Sequence, residues 1–269
     1  MIRTSNGSIF AAIKFLECNP DIAPSAAAES VLTVAPFRGR FRIAEEGRDD
    51  TEVLGLTAVL NHFSSLLFRF DAKSYAGVLH AASLRCGCRR VLLVGRKAAG
   101  KTTLALRLIQ AGYDFEGDEH VLLDEADGVI ARPRACHVKE ASLALLPEAA
   151  AIITAAPVLL DDWGRKIFGV DPRSIGGSWR IERGQADCVI VLQPNHGGYS
   201  SIRPIPPLAL AQALMAEYGL LSEAGRGAAI SAIARLARIS RGYDLSLGDH
   251  DTAVRCIQCA VRYGGAGLV

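Results

Sequence analysis

The sequence predicts an α/β fold built on a phosphate-binding loop, with a small β-rich unit ahead of it and a helical part behind. Three observations lead there. An apolar run from Val91 to Val94 reaches Gly95, and Gly100-Lys101-Thr102 follows at the spacing G-x-x-x-x-G-K-[ST]. A periodic segment with Leu104, Ala105, Leu108 and Ile109 comes next and stops at Gly112, which reads as a helix over 102–111. Between strand and helix, Ala98, Ala99 and Gly100 carry no bulky branched side chain, so the backbone can close around an anion.

Residues 1–73 read as a small α+β unit. Short strands over 31–34 and 40–44 flank Pro36 and Gly39, a turn follows at Glu45-Glu46-Gly47, and residues 9–17 fit strand or helix equally. Residues 52–70 have helical periodicity through Leu56, Val59, Leu60, Phe63 and Leu67, and join this unit to the next. The nucleotide domain spans 74–269. Its first strands cover 77–84 and 89–94, paired across Cys86-Gly87-Cys88. After the loop helix comes a segment over 115–124, then Asp127-Gly128 as a hairpin signal before 129–132, then a helical stretch over 141–153. Residues 161–186 change character and are rich in Gly, Arg and Trp. Residues 188–192 form a clean apolar strand closed by Pro194. From Pro206 onward the chain reads as helices over 207–220, 226–239 and 250–262.

Composition removes several function classes. Half of the 269 residues are hydrophobic, ample for a packed core, and the net charge is only +2. The arginines are scattered and lack interleaved aromatics, so nucleic acid is not an expected partner. No apolar run reaches the length of a membrane span, and the first residues lack the charged, apolar and small-residue order of a signal peptide. Seven cysteines, an odd number, suggest reduced thiols and a cytoplasmic location. Nothing in the sequence brings Cys86 and Cys88 to Cys256 and Cys259, so zinc is not expected.

The loop dictates the chemistry. Backbone N–H groups over Gly95, Arg96, Lys97, Ala98, Ala99, Gly100, Lys101, Thr102 and Thr103 would face phosphates, aided by the positive end of the helix. Lys101 would reach the β- and γ-phosphates, and the Thr102 hydroxyl would ligate Mg²⁺. Such a loop needs a carboxylate partner for the metal. The apolar strand 188–192 ends in Gln193-Pro194 and supplies none, Asp124 points into a turn, and no Asn-Lys-x-Asp guanine-reading element is present. Asp118 and Glu119, placed just before an apolar run, are the best candidates. A helix, a turn at Gly112 and a returning segment would bring them back to the phosphates. His80, on the strand expected to pair with the loop strand, is the histidine best placed; His120, His137 and His196 have weaker cases. Arg165, Lys166, Arg173, Arg180 and Arg183 would put cations on a mobile lid over 161–186, with Lys139 as a further candidate.

His80-Ala81-Ala82, the paired strands, Gly95 to Thr102, and Asp118-Glu119 before an apolar strand together resemble the catalytic domain of HPr kinase/phosphorylase. More closely, they resemble the HPr-kinase-related serine kinases, some of which accompany lasso-peptide maturation enzymes. The likeness covers residues 75–150. It implies a phosphoenolpyruvate-carboxykinase-like P-loop core and transfer of the γ-phosphoryl of ATP, with Mg²⁺, to a serine hydroxyl of a peptide or protein. By the same resemblance, one of Asp118 and Glu119 is the general base and the other helps hold the metal, and His80 orients or charges the pair. The chain departs from that family at Lys97-Ala98, where Ser-Gly is usual, and at Glu119, where the family has a second aspartate. The later arginine-rich signature is not recognisable, so HPr itself is not the expected acceptor. The residues also admit a nucleotide-binding ATPase or switch subunit, a small-molecule kinase, or a catalytically inactive scaffold, and self-association stays open.

Overall fold

A six-stranded mixed sheet carries the loop. In the computed structural model, which describes residues 2–10, 31–45, 47–71, 74–124, 128–161, 164–219 and 225–264, the strand order is Ser201–Ile205, Arg241–Leu247, Cys188–Pro194, Arg89–Val94, Ala81–Cys86, Asp114–Gly117. Arg89–Val94 and Arg241–Leu247 run parallel to Cys188–Pro194 on either side of it. Ser201–Ile205 and Ala81–Cys86 are antiparallel to their neighbours. The loop strand is apolar throughout because both of its faces are covered. Val91 and Leu93 enter the core that packs helices Lys101–Gln110 and His250–Tyr263, through Leu104, Leu108, Ile257 and Val261. Leu92 and Val94 enter the opposite core, with Leu210 and Leu214 of helix Pro207–Ala216 and Ile233 and Leu236 of helix Arg226–Ile239. A strand buried on both sides loses the period-two alternation and reads as a continuous hydrophobic run.

Four expectations need correction. The run over 77–84 is two strands. Gly77–Leu79 belongs to a second sheet, ordered Val129–Ala131, Val121–Leu123, Gly77–Leu79, Tyr218–Gly219, and the chain bends at His80 before Ala81–Cys86. The stretch 141–153 is a 3₁₀ turn, Glu140–Leu145, and a separate short helix, Ala150–Ala155. Pro147 stands between them and cannot continue a helix, since it lacks an N–H and crowds the preceding turn. The chain after Pro206 is not purely helical: Arg241–Leu247 is an interior strand of the main sheet, and Tyr218–Gly219 closes the second. Nor is 161–186 a single loop, since it contains strand Lys166–Val170, which pairs with Cys136–Lys139 and Val158–Leu160.

The N-terminal unit has a four-stranded sheet, Ile2–Arg3, Leu32–Phe37, Arg40–Glu45 and Thr51–Val53, covered by helix Gly55–Asp71. Val59, Phe63 and Leu66 fall on one helical face and bury against Leu32, Val34 and Ile43, in an apolar cluster separate from the two cores of the main sheet. Residues 11–17 of the ambiguous 9–17 stretch lie outside the described residues, as do Glu46, Asp127 and residue 220. Among the described residues, no helix is long and apolar enough to cross a membrane.

Candidate active site

Three neighbouring strands deliver the candidate residues to one edge of the main sheet. Arg89–Val94 ends there and continues into Gly95. Ala81–Cys86 is antiparallel to it, with Ala81 opposite Val94, so this strand starts at the same edge and His80 stands just before it. Asp114–Gly117 is antiparallel to Ala81–Cys86 and therefore parallel to the loop strand, so it too ends at this edge, at Asp118. Ligands of open α/β sheets bind at the carboxyl ends of the parallel strands.

The loop itself turns on residues with left-handed backbone. Gly100 has φ of 95° and precedes the helix without any side-chain cap, so the first-turn N–H groups have no partner from a capping residue. Ala98, at φ of 68°, shows the same handedness in a residue that rarely adopts it. Lys101 is buried at 6 % exposure, its Nζ donating to the carbonyls of Gly95 at 2.5 Å and Arg96 at 3.2 Å. Burial lowers its pKa, against the pull of Asp118, Glu217 and Glu119; the charge of Lys139 adds repulsion.

Asp118 closes the site. The Thr102 hydroxyl donates to Asp118 Oδ2 at 2.6 Å, and the Glu119 N–H donates to Asp118 Oδ1 at 2.9 Å. With only 1 % of its surface exposed, Asp118 has its pKa pushed up to about 6, first by burial and then by the Glu119 carboxylate. Glu119 has φ of 71° and pairs with Arg134, Nη1 to Oε2 at 2.5 Å. Burial opposes its ionisation, but the Arg134 guanidinium, foremost among its neighbours, outweighs that and holds its carboxyl below the usual range. Arg134 also reaches His137 Nδ1 at 2.8 Å. His120 is held neutral, its pKa lowered to about 4 by burial and Arg134.

His80 Nδ1 lies 3.4 Å from Lys101 Nζ and 3.4 Å from Glu217 Oε2, and its pKa is lowered by burial and by Lys101. The expected neighbours Lys101, Thr102, Asp118, Glu119 and His80 thus stand together, while Thr103 is buried and Arg96 and Lys97 are exposed on the loop. The sequence carries no local signal for Arg134 or Glu217. Arg134 sits in a basic stretch with no motif, and Glu217 reaches the site only through the pairing of Tyr218–Gly219 with Gly77–Leu79. His196 is exposed on the segment after Cys188–Pro194.

The five cations of the expected lid are each paired with an acid. Arg165 pairs with Asp161 at 2.8 Å, Lys166 with Glu140 at 3.3 Å, Arg173 with Asp171 at 2.7 Å, Arg180 with Glu182 at 3.1 Å and Arg183 with Asp124 at 2.5 Å. Residues 178–184 are tied down by backbone hydrogen bonds, Phe115 N–H to Ser178 O at 2.8 Å, Arg180 N–H to Phe115 O at 2.9 Å and Gly184 N–H to Val129 O at 3.2 Å. Trp179 packs on Phe115, with ring centroids 5.1 Å apart.

Thr102 and Asp118 offer two hard oxygen donors at one point. No group of three or more His, Cys, Asp or Glu side chains suited to a metal occurs among the described residues. A site with few protein oxygens fits Mg²⁺, which keeps water and phosphate ligands, and does not fit a metal caged entirely by protein.

No family model and no curated protein matches the chain. Among solved structures, it is similar to the HPr(Ser) kinase/phosphatase from Coxiella burnetii, at 18% identity and a TM-score of 0.28, over 48% of this chain and 70% of that one.

Proposed function

We propose that this chain is an ATP- and Mg²⁺-dependent kinase of the HPr-kinase-related type, with a phosphoenolpyruvate-carboxykinase-like core. It would pass the γ-phosphoryl group to a serine hydroxyl on a peptide or protein. One observation carries the reading: the 2.6 Å hydrogen bond from Thr102 to Asp118 sets a carboxylate beside the metal-ligating hydroxyl of a phosphate-binding loop. Lys101 leaves the Gly95 and Arg96 carbonyls to meet the β- and γ-phosphates. Thr102 and Asp118 would hold magnesium, which when bound would neutralise charge on the phosphates. With Asp118 on the metal, Glu119 is the carboxylate left to take the acceptor's proton. Arg134 keeps it ionised, and a loose phosphoryl-transfer transition state asks little strength of its base.

The test is labelled transfer from [γ-³²P]ATP to serine-containing peptides. Lys101→Ala abolishes it, while Asp118→Asn keeps ATP binding and loses transfer by about a thousandfold or more. Full transfer by Asp118→Asn would overturn the assignment. A second reading, ATP hydrolysis without an acceptor, is favoured by the hydrogen bonds that hold residues 178–184 to Phe115 and Val129, which would have to break before that segment sealed the loop from water. It is distinguished by label that appears only as free phosphate.

A further inference from the structure

We infer that Glu217 is a positioning residue that sets the tautomer of His80 when the loop fills; this rests on the loop binding nucleotide. Glu217 follows helix Pro207–Ala216, and Tyr218–Gly219 pairs antiparallel with Gly77–Leu79, Tyr218 opposite Leu79. That pairing lays Glu217 alongside His80. The His80 N–H donates to the Glu217 carbonyl at 2.9 Å, so the backbone holds the two residues together whatever their side chains do.

The side chains then compete. His80 Nδ1 is 3.4 Å from both Lys101 Nζ and Glu217 Oε2. An ammonium can only donate and a carboxylate can only accept. Nδ1 of a neutral ring therefore serves one or the other. Facing Lys101 it is a bare acceptor and the proton sits on Nε2. Facing Glu217 it carries the proton and Nε2 is bare. Burial and the Lys101 ammonium both push the ring's pKa down, which disfavours a second proton on it.

In this structure Lys101 is folded back on the Gly95 and Arg96 carbonyls and within reach of Nδ1. A phosphate ligand draws the ammonium away from all three. Glu217 is then the partner that remains for Nδ1. The proton passes from Nε2 to Nδ1 through solvent, with no net change of charge, and Nε2 becomes an acceptor. Loading the loop thus turns His80 from a donor at Nε2 to an acceptor there, in a ring that stands in the field of the Glu119 carboxylate. Glu217 touches neither nucleotide nor acceptor in this account; it acts through His80.

The experiment is ¹⁵N NMR of the histidine rings in the full chain at fixed pH, with and without saturating Mg²⁺ and a non-hydrolysable ATP analogue, with His80→Gln assigning the signal. The expected result is a switch of His80 from the Nε2–H to the Nδ1–H pattern on loading. Glu217→Gln, whose amide oxygen still accepts, keeps the switch; Glu217→Ala loses it. In transfer assays Glu217→Ala lowers kcat about tenfold with the KM for ATP nearly unchanged, and Glu217→Gln restores most of it. Loop amides that shift while His80 keeps its tautomer would overturn the inference and leave nucleotide binding intact. No shift at the loop would remove the nucleotide reading and the inference together. Equal behaviour of the Gln and Ala variants would show that the acceptor oxygen at position 217 does not set the tautomer, which also overturns it.

Discussion

Asp118 accepts hydrogen bonds from Thr102 and from the Glu119 N–H, yet its folded pKa of about 6 exceeds the unfolded 3.8. The folded protein therefore holds this proton more tightly than the unfolded chain. The stabilisation that follows is full below about pH 4 and is lost as pH rises through 6. At pH 8 the site carries a buried anion at a cost on the order of 3 kcal/mol, since each pKa unit is about 1.4 kcal/mol. Asp118→Asn removes that anion, so the nucleotide-free, magnesium-free variant should be more stable than the parent at pH 8. The gain should shrink below pH 6 and be mostly gone by pH 4. Urea unfolding across that range in a chelator measures it, and a loss of stability at pH 8 would make Asp118 a structural anchor instead. The neighbouring Glu119 adds strain of its own, because a left-handed backbone in a residue with a Cβ costs roughly 1–2 kcal/mol. Strain and an unfavourable charge at adjacent positions are what a site retained for chemistry tolerates.

The element that brings Asp118 home is a strand the sequence disguises. Asp114–Gly117 reads Asp-Phe-Glu-Gly, with little that suggests a buried strand. Glu116 is nonetheless fully buried, because Arg85 on the adjacent strand and Arg90 on the one beyond it meet it at 2.8 Å and 2.7 Å and Ser83 donates to it at 2.5 Å. Removing one partner of such a set costs about 3–5 kcal/mol. Gly117 ends the strand where a Cβ would run into the Arg132 carbonyl oxygen and meet Ala131 Cβ at 3.0 Å. Gly117→Ala should then destabilise by about 1–3 kcal/mol through overpacking and shift Asp118 away from Thr102, so that transfer falls more than stability does. Gly227→Ala, on helix Arg226–Ile239 with open space around it, is the control and should be neutral or slightly stabilising. Thermal melts and peptide labelling of the pair decide the matter; a harmless Gly117→Ala would show that the close approach is not needed. This strand also marks where the sequence stops being legible. The loop, its strand and its helix are plain because glycines, a lysine and apolar periodicity are local signals. The acidic pair is visible as residues, but its geometry, an acid at the end of a strand parallel to the loop strand, is hidden by the buried Glu116. Arg241–Leu247 is hidden likewise, since Arg241, Asp244 and Ser246 interrupt an interior strand that fills its core positions with Tyr243, Leu245 and Leu247. Glu217 has no local signal at all and depends on a pairing between segments far apart in the chain.

At the scale of the whole molecule, the question is how far binding at the loop is felt. The main sheet is sealed by two apolar layers that both include residues of the loop strand, Val91 and Leu93 in one and Leu92 and Val94 in the other. The N-terminal unit packs around its own cluster of Leu32, Val34, Ile43, Val59, Phe63 and Leu66. Its link to the rest includes a polar contact at the end of helix Gly55–Asp71, where Arg132 Nε donates to Asp71 Oδ2 at 2.7 Å. A ligand stabilises only those openings that destroy its site. Mg²⁺ with a non-hydrolysable ATP analogue at a hundredfold over Kd should therefore add about 2.7 kcal/mol of hydrogen-exchange protection to amides of Arg89–Val94 and Cys188–Pro194. Amides of Leu32–Phe37 and Arg40–Glu45 should gain far less, because their unit can open while the loop stays formed. Exchange followed by mass spectrometry reads both sets in one experiment. An equal gain in the two would show that the chain opens as one cooperative body, with the Asp71–Arg132 contact strong enough to tie the N-terminal sheet to the site; no gain in either would mean that the loop does not hold the nucleotide.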